Sequence, residues 1–106
     1  MNALFLGNQK STDEVYSVSV QKELFENANF LSRKTFKKEE LLQDPEKFKD
    51  TEVIFSTWGM FQMSEEEIET VFPNLRAVFY AAGSVQGFAK PFLKKGIKVF
   101  SAWAAN

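Results

Sequence analysis

The stretches of this 106-residue chain best suited to chemistry carry no charge. They read Gly7-Asn8-Gln9, Ser56-Thr57-Trp58-Gly59-Met60, Ala82-Gly83-Ser84-Val85 and Ser101-Ala102-Trp103, and each follows a short apolar run. Histidine and cysteine are absent. That removes the commonest general base, the commonest metal ligand and any thiolate. What remains is the main chain. Successive amides around a glycine form a concave nest that holds a carboxylate or phosphate. Ala82–Val85 would lie between a strand and the start of a helix, where the helix dipole adds attraction for an anion. Gly83 is equally the glycine of an ordinary turn. Trp58 and Trp103 read in two ways, as large plugs beneath loops or as apolar walls of a cleft that offer an indole N–H. A GxGxxG phosphate cradle is absent from the sequence.

The elements that would position these stretches alternate. Ala3–Leu6 is a compact apolar run stopped by Gly7-Asn8. Ser11 followed by Glu14 makes a capping box, and Val15, Val18, Leu24, Phe25 and Ala28 keep helical spacing, so one helix is expected over 12–28. Phe30-Leu31-Ser32 is the second strand; Arg33, Lys34, Lys37 and Lys38 beside it, followed by Glu39 and Glu40, read as a solvated edge. Leu41-Leu42 marks a short helix that Asp44-Pro45 breaks or restarts. Val53-Ile54-Phe55 is the third strand. Ser64-Glu65-Glu66-Glu67 opens a helix with a second capping box, which Pro73-Asn74 ends. Ala77–Tyr80 is the fourth strand, residues 87–95 a helix stopped by Gly96, and Ile97–Phe100 the fifth strand.

Continuous apolar strands alternating with helices call for a parallel sheet. The expected fold is α/β: a flavodoxin-like open sheet of about five strands in the order 2-1-3-4-5, with right-handed crossovers and helices on both faces. Ligands bind such sheets beyond the carboxyl ends of the strands, which is where the four uncharged stretches fall. A phosphorelay receiver of similar fold needs acids after its first and third strands. Here those places hold Gly7-Asn8 and Ser56-Thr57.

The composition fits one soluble domain spanning 1–106, with 44% hydrophobic and 25% charged residues. A net charge of −1 points to no nucleic-acid or membrane partner. The apolar runs are too short to span a bilayer, and the start of the chain lacks the pattern of a secretory leader. With no cysteine, a cytoplasmic location is expected. The 12 phenylalanines are expected in the core.

Three stretches, STWGM, SEEEIETVFPNLRAVFYAAGSV and GIKVFSAWAAN, occur in an order and spacing that resembles the N-terminal part of the D-isomer-specific 2-hydroxyacid dehydrogenases, phosphoglycerate dehydrogenase-like members above all. The likeness covers residues 51–106, and residues 1–50 by topology alone. It implies a truncated substrate domain of an NAD- or NADP-dependent enzyme that moves a hydride between the cofactor and a 2-hydroxy or 2-keto acid. The family's catalytic residues and dinucleotide domain lie downstream. The fragment alone is then inactive, binds no cofactor and no metal, and exposes an apolar patch where a returning C-terminal helix would pack. Self-association through that patch is implied, as is a homodimer for the complete enzyme. Carried over, Ala82, Gly83, Ser84 and Val85 would hold the substrate carboxylate through their amides. Trp58, Gly59 and Met60 would touch its other end, and Trp103 and Asn106 would lie at the hinge beside the nicotinamide. The family's aspartate soon after the glycine turn is missing from Ser84-Val85-Gln86-Gly87-Phe88. A stand-alone flavodoxin-like module for a small anion or a protein partner is the alternative, and it should have both sheet faces covered. A flavin carrier would need a hydroxyl-rich phosphate loop after the first strand, of which Gly7–Thr12 is a faint echo.

Overall fold

The computed structural model describes residues 1–82 and 87–101. Five parallel strands, β1 (Asn2–Leu6), β2 (Asn29–Phe36), β3 (Val53–Ser56), β4 (Ala77–Tyr80) and β5 (Lys98–Ser101), form one sheet in the order β2-β1-β3-β4-β5. The helices between them are α1 (Gln9–Val15), α2 (Val18–Asn27), α3 (Lys38–Gln43), a 3-10 turn over Pro45–Phe48, α4 (Glu65–Val71) and α5 (Ala89–Lys94).

The direction of each crossover decides which face its helix covers. The chain moves one way from β1 to β2 and the opposite way in every later step, so right-handed crossovers send the later helices to the other face. Leu4, Leu6, Ile54 and Val78 therefore meet Leu41, Phe48, Ile68, Val71 and Phe92 in one core. On the second face, Phe5 packs against Tyr16 and Phe25 at ring separations of 5.2 and 5.9 Å. Among the described residues only α1 and α2 serve that face. No described element covers it over β4 and β5, where Phe79 and Phe100 are 38% and 45% exposed.

The helix expected over 12–28 is two helices. Asn8, rather than Ser11, caps the first: its side-chain oxygen accepts from Ser11 N at 3.2 Å. The break comes at Tyr16, whose extended backbone ends α1. It buries the ring against Phe5 and lets the phenol donate to the Ser56 carbonyl at 2.8 Å. Ser17 then caps α2 by accepting from Val20 N, and the Gln21 amide takes up the Tyr16 carbonyl. The Tyr16 N–H still donates to the Thr12 carbonyl at 2.8 Å; a continuous helix would also have kept the Tyr16 carbonyl within its own ladder and pointed the ring along the helix surface.

The second strand is longer than the sequence suggests, because its pairing slips. Ala3 faces Phe30 but Phe5 faces Thr35, which leaves 31–34 as a bulge at the sheet edge. Arg33 and Lys34 ride on this exposed bulge, a common way to blunt an edge strand. Lys34 pairs with Glu40, and Lys38 with Glu67 at 3.3 Å. At Ser64 the expected capping box forms, with Glu67 N donating to Ser64 Oγ and Ser64 N to Glu67 Oε1. Gly96 has φ +80° after α5, as its role in ending that helix requires.

Candidate functional site at the carboxyl edge of the sheet

Past the last ladder bonds, hydroxyl side chains keep the strands in step. Ser56 Oγ donates to the Leu6 carbonyl at 2.6 Å, which ties β3 to β1. The Ser56 carbonyl accepts both Ala81 N and the Tyr16 phenol. Thr57 Oγ1 donates to the Ala81 carbonyl at 2.8 Å, and Ser101 Oγ to the Ala82 carbonyl at 2.9 Å. The backbone leaving β4 is thus held from both flanking strands. With Ser56 opposite Tyr80 in the register, the tips of β3 and β4 stand side by side. Burial deepens the effect at Tyr16: desolvation pushes its phenol well above the usual tyrosine range, so it donates as the neutral group.

Thr57, Trp58, Gly59 and Met60 form a tight turn, closed by Met60 N donating to the Thr57 carbonyl at 3.1 Å. Gly59 takes the third position with φ +94°, a conformation that favours glycine. A Cβ there would lie 2.9 Å from Asn8 Cβ, and one on Gly7, at φ +126°, would meet Ser56 Oγ and the Gly59 carbonyl. The small residues at these two tips admit each other's backbone. They leave no cradle for a dinucleotide pyrophosphate after β1, where a Rossmann domain would place one.

Of the residues singled out from sequence, Trp58 and Ala82 lie at neighbouring tips. Trp58 is 59% exposed, so it is no plug beneath a loop. Gly59 is exposed beside it and Met60 is half-buried against the core. Ala82 turns its methyl into the core, which leaves only its backbone available. Gly83, Ser84, Val85, Trp103 and Asn106 fall outside the described residues. Sequence reasoning missed the clamps of Ser56, Thr57 and Ser101, although a hydroxyl residue directly after an apolar strand is the signal that could have found them. It also missed Phe61, half-exposed one residue beyond Met60.

Three clefts open elsewhere, about 700, 330 and 290 Å³ in volume, all around β2 and its neighbours. The first is the roomiest, but its charges oppose one another: Asp13 and Glu26 face Lys22 and Arg33, and the Arg33 guanidinium already lies 4.9 Å over the Phe25 ring. It offers no convergent set of donors, whereas the strand tips present backbone and indole groups on clamped loops. Among the described residues no cluster of His, Cys, Asp or Glu could hold a metal, and no helix is long and apolar enough to cross a membrane.

No protein-family model matches the chain, and no curated protein matches it.

Proposed function

We propose that this chain is the substrate-binding domain of an oxidoreductase that acts on the CH–OH group of a 2-hydroxy acid. The observation that carries this reading is the juxtaposition at β3 and β4: an exposed Trp58 stands one residue beyond Thr57, whose hydroxyl holds the backbone of Ala81. A 2-hydroxy acid has a carboxylate at one end and a side chain at the other. In this reading the backbone amides from Ala82 through Gly83, Ser84 and Val85 hold the carboxylate, and Trp58, Gly59 and Met60 meet the side chain. In the same reading Trp103 and Asn106, outside the described residues, would belong to the hinge. An uncharged rim suits this division of labour, because pre-oriented amides stabilise an anion without a buried counter-ion.

The described residues do not fit a nicotinamide dinucleotide. Gly7 and Gly59 are filled by each other's loops, and no step is assigned to that cofactor here. When bound to a second domain of the enzyme, NAD or NADP would supply the hydride chemistry. This chain's part is to fix the orientation of the acid, the entropic share of catalysis. The open half of the second sheet face also supports the reading, as the seat of a further helix of the enzyme. A self-contained anion-binding or interaction module of the same fold would need that half covered.

The test is a chemical-shift titration of the chain with pyruvate. Perturbations confined to Thr57–Met60 and Ala81–Ala82, with no response to NAD, are expected. A response only at the cleft beside α2, or none at all, overturns the proposal.

A further inference from the structure

We infer that the cleft between α1, α2 and β2 binds a small zwitterion of the amino-acid class, one with an apolar side chain. None of its lining residues belongs to the strand tips, so the inference stands apart from the function proposed above. At about 700 Å³ the cleft has the size of a ligand pocket. Val18, Gln21, Lys22, Phe25 and Glu26 recur at helical spacing, so one stripe of α2 forms its wall. Val18 is 85% exposed, and no residue of α2 is buried. The apolar part of this stripe therefore faces water in the free chain.

The charges of the cleft are held in place but not neutralised by one another. Asp13 Oδ1 accepts from the Gln9 amide at 3.2 Å and from the Gln21 amide at 3.1 Å. Both amides are anchored in turn, Gln9 by accepting from Thr35 N and Gln21 by donating to the Tyr16 carbonyl. Asp13 nevertheless forms no ion pair with any described residue. It lies in the last turn of α1, and Glu26 in the last turn of α2, with no base in either turn. The helix dipole disfavours an acid there and favours a cation. Arg33 also has no ion pair among the described residues, and its guanidinium lies 4.9 Å over the Phe25 ring. A guanidinium seated on a ring keeps its N–H fork for a carboxylate. Lys22 and Glu26 stand four apart in the weaker order, lysine first, and do not pair. Two acids and two bases make the lining neutral, which gives a bare anion or a bare cation no net attraction. The arrangement matches a ligand with both signs: its ammonium at Asp13, its carboxylate at Arg33 and its side chain on Val18 and Phe25.

Titrations of the chain with phenylalanine, phenethylamine and hydrocinnamate, followed at the side-chain amides of Gln9 and Gln21, test this. The three probes share a ring and differ in charge. Phenylalanine should bind about three- to fivefold more tightly than either of the others, the contribution of one exposed ion pair. Asp13→Asn, which keeps the oxygen that the two glutamines hold, should lower phenylalanine to the level of hydrocinnamate. Arg33→Gln should lower it to that of phenethylamine. Arg33→Glu should make phenethylamine the tightest of the three, a gain that loss of folding cannot imitate. Equal or tighter binding of phenethylamine or hydrocinnamate by the unaltered chain overturns the inference. So does a phenylalanine preference that survives both Asp13→Asn and Arg33→Gln, or the lack of any response at the two amides. The pyruvate titration reads other residues, at the strand tips, so the two proposals fail separately.

Discussion

One row of phenylalanines crosses the second sheet face, and its two ends live in different surroundings. Phe5, Phe55, Phe79 and Phe100 are successive partners in the register of β1, β3, β4 and β5. At one end Phe5 is fully buried, wrapped by Tyr16, Phe25 and Phe30. At the other, Phe79 and Phe100 stack on each other at 4.9 Å and 16°, with solvent above. The residue type is constant along the row and the burial is not. Covering is a property of topology: among the described residues a single crossover, β1 to β2, brings helices to this face, and they reach as far as the middle of the sheet. A composition rich in phenylalanine cannot reveal which rings will be covered.

The sharpest way to break this comparison is to truncate both ends of the row. Phe5→Ala removes a ring packed on every side and should cost about 3–5 kcal/mol in urea unfolding, through lost transfer energy and a cavity. Phe100→Ala removes a ring already half in water and should cost about 1 kcal/mol. Equal costs would mean that β5 is covered in solution.

Gly59→Ala addresses the edge where the two halves join. The positive φ and the Asn8 contact both oppose a methyl group. The expected cost is about 2–3 kcal/mol, read as a lower urea midpoint. A neutral result would show that the loops after β1 and β3 do not touch.

Tyr16→Phe probes what seals the covered half. At neutral pH, loss of the bond to the Ser56 carbonyl should cost about 1 kcal/mol, since that carbonyl keeps Ala81 N. The pH dependence has a definite sign. Burial raises the phenol pKa in the folded state, so the unfolded chain gives up its proton first. Stability is fully present below the ordinary tyrosine value of about 10 and falls as pH rises above it. Tyr80, raised by the same cause, adds to the slope. The variant should show a shallower alkaline decline than the parent, measured by urea midpoints between neutral and alkaline pH.

How much of this was legible in the sequence follows the range of the forces involved. Continuous apolar runs and their alternation with helical spacing carried the sheet and its order. The Ser64 box and Gly96 were readable because caps depend on neighbours within a turn. The break at Tyr16 was not, because its cause is a carbonyl on Ser56, 40 residues away. The bulge in β2 was hidden for a similar reason: slippage depends on the partner strand. At the site, the glycine and tryptophan of the β3 tip stood out by type, and the exposure of Trp58 settled one of its two readings. The mutual fit of Gly7 and Gly59 needed both loops in space.

The smallest expected effect on stability is the most informative about the open half. Replacing Phe79 and Phe100 together by Gln exchanges rings that are 38% and 45% exposed for side chains whose stems keep part of the contact, so the free energy of unfolding should fall by no more than about 1 kcal/mol. Association should respond far more. An exposed stack of rings at the edge of the sheet favours contact between copies, and two amides in place of the rings remove that drive. Sedimentation at rising concentration should therefore show the parent chain associating and the double variant staying monomeric, with matching circular dichroism. A double variant that unfolds would place these rings inside a core after all, and the two ends of the row would no longer differ.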